Sequence, residues 1–135
     1  MVLNKKTTLQ LVSLWLPVII QMGLIFYFSS LPAGSPALEI FPMPGWLGHF
    51  AGYGLLALLL YRAFNRGFRG WSFKAAVSTF VVGFLYALSD ELHQMFVPGR
   101  HASLADIAID AGGILSALIF LRIVAGQLSK KSPGY

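Results

Sequence analysis

The stretch Ser89–Asp106 gathers most of the ionisable chemistry of this chain. Of five acidic residues in the whole sequence, Asp90, Glu91 and Asp106 fall inside it, and Asp110 follows one helical turn later. Two of the three histidines, His93 and His101, are here too, with Arg100 between them. Such a set supports three kinds of chemistry. His93, oriented by Asp106 or Asp90, could serve as general acid–base while Arg100 stabilises a developing anion. Arg100 could instead hold a phosphate or carboxylate headgroup by charge-assisted hydrogen bonds. Asp90, Glu91, His93 and Asp106 could also offer oxygen and imidazole ligands to a divalent cation, though Asp-Glu-x-His is not a strong zinc spacing. No Ser sits in an activated motif, so hydrolysis would need water or His as nucleophile. With zero cysteines, thiolate metal sites, disulfides and a Cys nucleophile are excluded.

The elements that position these groups read as membrane spans. The chain has 135 residues, of which 56% are hydrophobic and 11% charged, whereas a soluble domain carries roughly 25% charged residues. A spanning helix needs roughly 20 mostly apolar residues. Four segments qualify: Leu9–Phe28, Trp46–Phe64, Lys74–Phe96 and Leu104–Ala125. No segment alternates with period two, so a β-barrel is disfavoured. The expected fold is an all-α integral membrane four-helix bundle forming a single unit over residues 1–135. Pro32, Pro36, Pro42, Pro44 and Gly45 punctuate the first loop, and Pro98-Gly99 is expected to end the third helix at Val97. Short polar tails, Met1–Thr8 and Ser129–Tyr135, flank the bundle, the last six residues reading as frayed. Lys5 and Lys6 before an apolar run, with Ser35 and Ala37 after it, resemble a secretory signal. The run is longer than a signal core of roughly 7–15 residues, so the first helix is expected to stay uncleaved.

The basic residues assign sides. Lys5 and Lys6 precede the first span, Arg62, Arg66, Arg69 and Lys74 surround the second loop, and Lys130 and Lys131 follow the last span. The positive-inside rule therefore puts both termini in the cytoplasm and the 29–45 and 97–103 loops outside, with a net charge that needs no nucleic acid to explain it. Ionisable groups at the outer end of such a bundle mark a functional pocket by default. Counting from the Val97–Ser103 turn, Asp90 and Asp110 lie roughly 11 Å down. The hairpin of the last two spans can bring Asp90 toward Asp110 and His93 toward Asp106. Tyr86, Asp90, His93, Gln94 and Val97 share one face, while Glu91 points about 100° away. Ser103, Asp106, Asp110, Gly113 and Ala117 form a stripe whose deeper part is small enough for close helix approach. His49 and Tyr53, one turn apart, can join the same pocket. Blander roles compete residue by residue. Asp106 complements a helix N-terminus, Ser103 reads as an N-cap with Asp106 in capping-box position, Tyr53 and Tyr86 suit interhelical packing, and His101 suits a solvated loop.

These residues resemble the VanZ-like family. The matching pieces are Ser29-Ser30-Leu31-Pro32; His49-Phe50 with Tyr53 and Leu56; Ser89-Asp90-Glu91-x-His93-Gln94-x-Phe96-Val97-Pro98-Gly99-Arg100; and Ser103, Asp106, Asp110 and Gly113. The chain departs from the family where Trp46-Leu47-Gly48 stands in place of a Lys or Asp-Lys, and where Asp110 stands in place of a frequent Asn. The resemblance implies a small bacterial cytoplasmic-membrane protein with a cell-envelope role, of the kind linked to resistance to the glycopeptide teicoplanin. It implies no reaction.

The expectation is an outward-facing pocket that binds or modifies a cell-envelope amphiphile. Asp90, Glu91, His93, Arg100 and Asp106 are the candidate reacting groups, and His49, Tyr53, Gln94 and Asp110 the candidate substrate contacts. Membrane lipids, a lipid-linked cell-wall precursor and a glycopeptide-related ligand are the candidate partners, a homo-oligomer is open, and a divalent cation is the candidate cofactor. The alternatives are a non-catalytic membrane partner or scaffold subunit, and a metal-assisted hydrolase or transferase on lipid-linked phosphate. Transport ranks last, because the inner halves of the spans carry almost no polar residues.

Overall fold

A computed structural model describes residues 5–40 and 44–131, the side chain of Lys131 excepted. The described elements are α1 (Lys5–Ser29), α2 (Pro36–Glu39), α3 (Gly45–Phe64), α4 (Phe73–Gln94) and α5 (Leu104–Lys131). All but α2 are long and apolar enough to cross a membrane. The fold is membrane-helical, and large apolar side chains cover its outer surface, as at Ile19, Leu85 and Ile119. In lipid this exposure costs nothing, and only backbone groups satisfied within each helix are tolerated there.

Helix bounds differ from expectation mainly at the ends. Lys5–Thr8 belong to α1 rather than to a tail, and α5 runs on to Lys131. Ser132–Tyr135 and the loop prolines' companions Pro42 and Met43 lie outside the described residues. α4 stops at Gln94, three residues short of Val97, and tightens into turns closed by Phe96 N–H to His93 O and Val97 N–H to Gln94 O. The first loop also contains the one-turn α2, started by Pro36.

α3 is the hub, packing on α1, α4 and α5. Its buried positions Tyr53, Leu56, Ala57, Leu60 and Tyr61 recur at helical spacing, and with Leu14, Val18, Ala87, Ile114 and Leu118 they form the core. α5 reaches α3 most closely at Gly113, where a Cβ would collide with the Phe50 carbonyl of α3. The small stripe read from the sequence is thus a backbone-to-backbone contact.

Two polar devices hold the opposite, basic end. Pro17 lies inside α1 and has no N–H for the Ser13 carbonyl one turn back. Arg62 Nη1 donates to that carbonyl at 3.0 Å, tying the end of α3 to α1. Ser72 caps α4 by accepting from Ala75 N–H at 3.2 Å, and its own N–H donates to the Tyr61 hydroxyl at 2.9 Å.

Candidate functional site

At the acidic end each helix contributes a polar group for a local reason. Ser103 caps α5, its hydroxyl accepting from Asp106 N–H at 3.3 Å. The other half of the box comes from α4: Ser103 N–H donates to Glu91 Oε2 at 2.8 Å. Glu91 therefore crosses the turn and takes the place that Asp106 would fill in a local capping box. Gln94 donates to Glu91 Oε1 and to Asp90 Oδ2, both at 3.3 Å, and so fixes the two carboxylates relative to each other. Asp90 Oδ2 also accepts from Ser29 Oγ of α1 at 2.8 Å. On α3, His49 Nδ1 lies 3.1 Å from Asp110 Oδ1 of α5, with Asp110 fully buried and the His side chain 18% exposed.

The arrangement differs from the sequence reading at His93. Its ring stacks on Phe26 of α1 with centroids 4.6 Å apart, and its Nε2 lies 3.0 Å from Ser30 Oγ. It does not meet Asp106 or Asp90. The reason is helical phase: residues 91 and 93 are about 200° apart around α4, so turning Glu91 toward α5 turns His93 toward α1. Asp90 likewise bonds to Ser29 and Gln94 rather than to Asp110. Arg100 is not free to face a ligand with its whole guanidinium. Nε donates to Leu31 O at 3.1 Å and Nη2 to Phe28 O at 3.2 Å, satisfying carbonyls at the end of α1. Asp106 is half-buried and His101 exposed.

A cleft of about 500 Å³ opens between α1 and α3 and is bordered by His49, Tyr53, Asp90 and Arg100. Gln94, Glu91, His93, Asp106 and Asp110 are not among its walls. One side is apolar, from Leu24, Ile25 and Phe28, and the facing strip of α3 is bare backbone at Gly45, Gly48 and Gly52. A Cβ at Gly45 or Gly48 would meet nothing within 4 Å, so these glycines create the space. Two wall residues escaped the sequence reading. Gln21, buried, donates to Gly52 O at 3.1 Å, and Ser29 bonds Asp90. A Gln in the middle of a mostly apolar span was the available signal for the first. Ser29 was visible only as part of the Ser-Ser-Leu-Pro motif.

Among the described residues, three buried polar atoms at the head of this site make no well-formed hydrogen bond: Tyr53 Oη, Asp90 Oδ1 and Asp110 Oδ2. Their residues are 1%, 3% and 0% exposed. Leaving such atoms unpaired is costly; the Tyr53 hydroxyl stands within reach of a weak hydrogen bond to the Asp90 carboxylate, and Asp110 lies within electrostatic reach of it. The ligand atoms of His49, Glu91 and Asp110 all lie within 4.8 Å of one another. The residues placed so that they could hold a cation are thus His49, Glu91 and Asp110, rather than the His93-containing set read from the sequence.

No curated protein and no solved structure matches the chain. A sequence model described as VanZ/LLP1 matches residues 14–125, from α1 through most of α5. With the match covering all four long helices and the Asp90–Arg100 and Ser103–Gly113 motifs that line or brace the cleft, the chain belongs to the VanZ/LLP1 family.

Proposed function

We propose that this protein binds a cell-envelope amphiphile in the α1–α3 cleft, at the extracytoplasmic face of the bacterial cytoplasmic membrane. Nine of its ten Lys and Arg residues lie at the opposite end of the bundle, which supports that orientation. The observation that carries the proposal is the pairing of two surfaces. A glycine-floored apolar cleft suits an acyl or prenyl chain, and at its head the buried Asp90 carboxylate and Tyr53 hydroxyl stand beside each other without a well-formed hydrogen bond to any described residue from Asp90 Oδ1 or Tyr53 Oη. An acceptor of this kind calls for a donor, so the headgroup is one rich in hydroxyl or ammonium groups, such as the sugar of a lipid-linked cell-wall precursor. Masking such material is a route by which a protein of this family would reduce teicoplanin action.

Binding is favoured over acid–base catalysis because His93 is turned to α1 and two nitrogens of Arg100 are spent on α1 carbonyls. The test incubates purified protein with lipid-linked cell-wall precursors and records masses of protein and lipid. Unchanged lipid retained by the wild type and lost in Asp90→Asn is the expected result. A changed lipid mass would make the protein an enzyme, and no retention of any lipid would remove the proposal. A phosphate-free glycolipid and phosphatidic acid, which has a phosphate but no alcohol, run alongside, separate a headgroup read through its hydroxyls from one held through its phosphate.

A further inference from the structure

Glu91 and Asp110 are 2% and 0% exposed, inside a bundle read as membrane-spanning. Among the described residues neither carboxylate is paired with Lys or Arg, and the ion pair formed is His49 with Asp110. Two buried carboxylates sharing one imidazole leave negative charge without a full counter-charge, an arrangement that low-dielectric surroundings penalise. Hydrogen bonds do not remove the difficulty. Glu91 is served by Ser103 N–H and Gln94, but Asp110 Oδ2 is sealed from solvent and has no donor at all.

The geometry points to a divalent cation, and we propose that His49, Glu91 and Asp110 form a site for an ion of the zinc–manganese class. One imidazole and two carboxylates are a mixed nitrogen–oxygen set, which suits these ions better than calcium or magnesium. Two atoms each ~2.0 Å from a tetrahedral zinc lie roughly 3.3 Å apart, close to the 3.1 Å between His49 Nδ1 and Asp110 Oδ1; the full set spans up to 4.8 Å, so Glu91 would draw in on binding the ion. The three ligands come from three helices: His49 from α3, Glu91 from α4 and Asp110 from α5. The ion would cross-link the acidic ends of these helices. Three protein ligands leave a coordination position over, and His49 borders the cleft while Glu91 and Asp110 stand behind it. The site shares no residue with the Asp90–Tyr53 head of the cleft.

The test uses full-length protein in nanodiscs, stripped with a chelator, reloaded with ZnCl2 or MnCl2, desalted and assayed for metal per chain. The wild type and His101→Ala should each retain about one ion, and Glu91→Gln and Asp110→Asn should bind at least about tenfold more weakly. Zinc should raise the thermal midpoint of the wild type and leave that of Asp110→Asn unmoved. Equal retention in all four proteins, or an equal stabilisation by MgCl2, would overturn the site. Should the carboxylate variants fail to fold, zinc K-edge absorption on the wild type decides: a shell with one imidazole and oxygen donors supports the site, and any other shell, or no bound zinc, overturns it. Lipid retention by the stripped wild type is read separately. Retention without metal binding removes this site alone, and metal binding without lipid retention removes the amphiphile reading alone.

Discussion

Asp90→Asn exchanges one oxygen for an amide and leaves the side-chain shape unchanged, so it separates binding from folding. In the wild type Oδ2 accepts from Ser29 and Gln94, while Oδ1 has the Tyr53 hydroxyl near it but no well-formed hydrogen bond among the described residues. An Asn oxygen can still accept from Ser29, and its amide then stands where Oδ1 stood, beside a Tyr53 hydroxyl able to accept. Gln94 keeps its bond to Glu91 at 3.3 Å. The folding cost is therefore that of one weakened neutral hydrogen bond, about 1 kcal/mol. Binding should respond more strongly. A ligand donor facing a carboxylate contributes about 1.5–3 kcal/mol, and facing an amide N–H it loses that contribution. The dissociation constant should rise roughly 10- to 150-fold. Titration of a lipid-linked cell-wall precursor into protein-loaded nanodiscs, followed by native mass spectrometry, reads the constant directly, and a thermal melt of the same sample checks the fold. A change in affinity under about threefold, with the melt intact, would mean that the unpaired oxygen does not meet the ligand and that the reasoning from orphaned atoms fails.

Gly48→Leu should abolish lipid retention without lowering the thermal midpoint, because its side chain enters the cleft from a position where a Cβ meets nothing; retained lipid would show that the cleft is not the binding surface. Arg62→Met should destabilise by about 1–3 kcal/mol in the wild type by orphaning the Ser13 carbonyl, and by much less in a Pro17→Ala background, where the restored N–H takes that carbonyl. Equal costs in both backgrounds, measured by a double-mutant cycle in a reversible unfolding assay, would break the link between the proline and the arginine. A Cys at Ser35 should react with an impermeant thiol reagent in intact cells and one at Phe68, half exposed in the α3–α4 loop, should not; the reverse pattern would put the acidic end in the cytoplasm.

The spans were legible because a bilayer demands long apolar helices, and the cap at Ser103 because its chemistry is local. Phase on a single helix was legible too: Asp90 and Glu91 do face different neighbours. What spacing along one helix does not reveal is which neighbour stands on which side. With α1 beside α4, His93 found Ser30 and Phe26 rather than Asp106, and the ring beside an α5 carboxylate proved to be His49, paired with Asp110 across 61 positions of sequence. The cleft itself was invisible for a related reason. It is made by glycines, whose contribution is the absence of a side chain, and absence has no periodicity until a second helix gives it a far wall.

The grip of Arg100 on the carbonyls of Phe28 and Leu31, with Ala33 N–H on Pro98 O at 3.3 Å, fastens the end of α1 to the α4–α5 turn and not to α3. Glu91 on Ser103 N–H in turn makes α4 and α5 a single stiff unit at that end. Along the cleft, α1 and α3 share the hydrogen bond from Gln21 to Gly52 O, and Arg62 on the Ser13 carbonyl joins the same two helices at the basic end. The seam between α1 and α3 is therefore held at one point along the cleft and tied again at the basic end, like a book opening opposite its spine. A long-tailed guest of the kind proposed would then enter sideways, out of the surrounding lipid, without its chain leaving the bilayer.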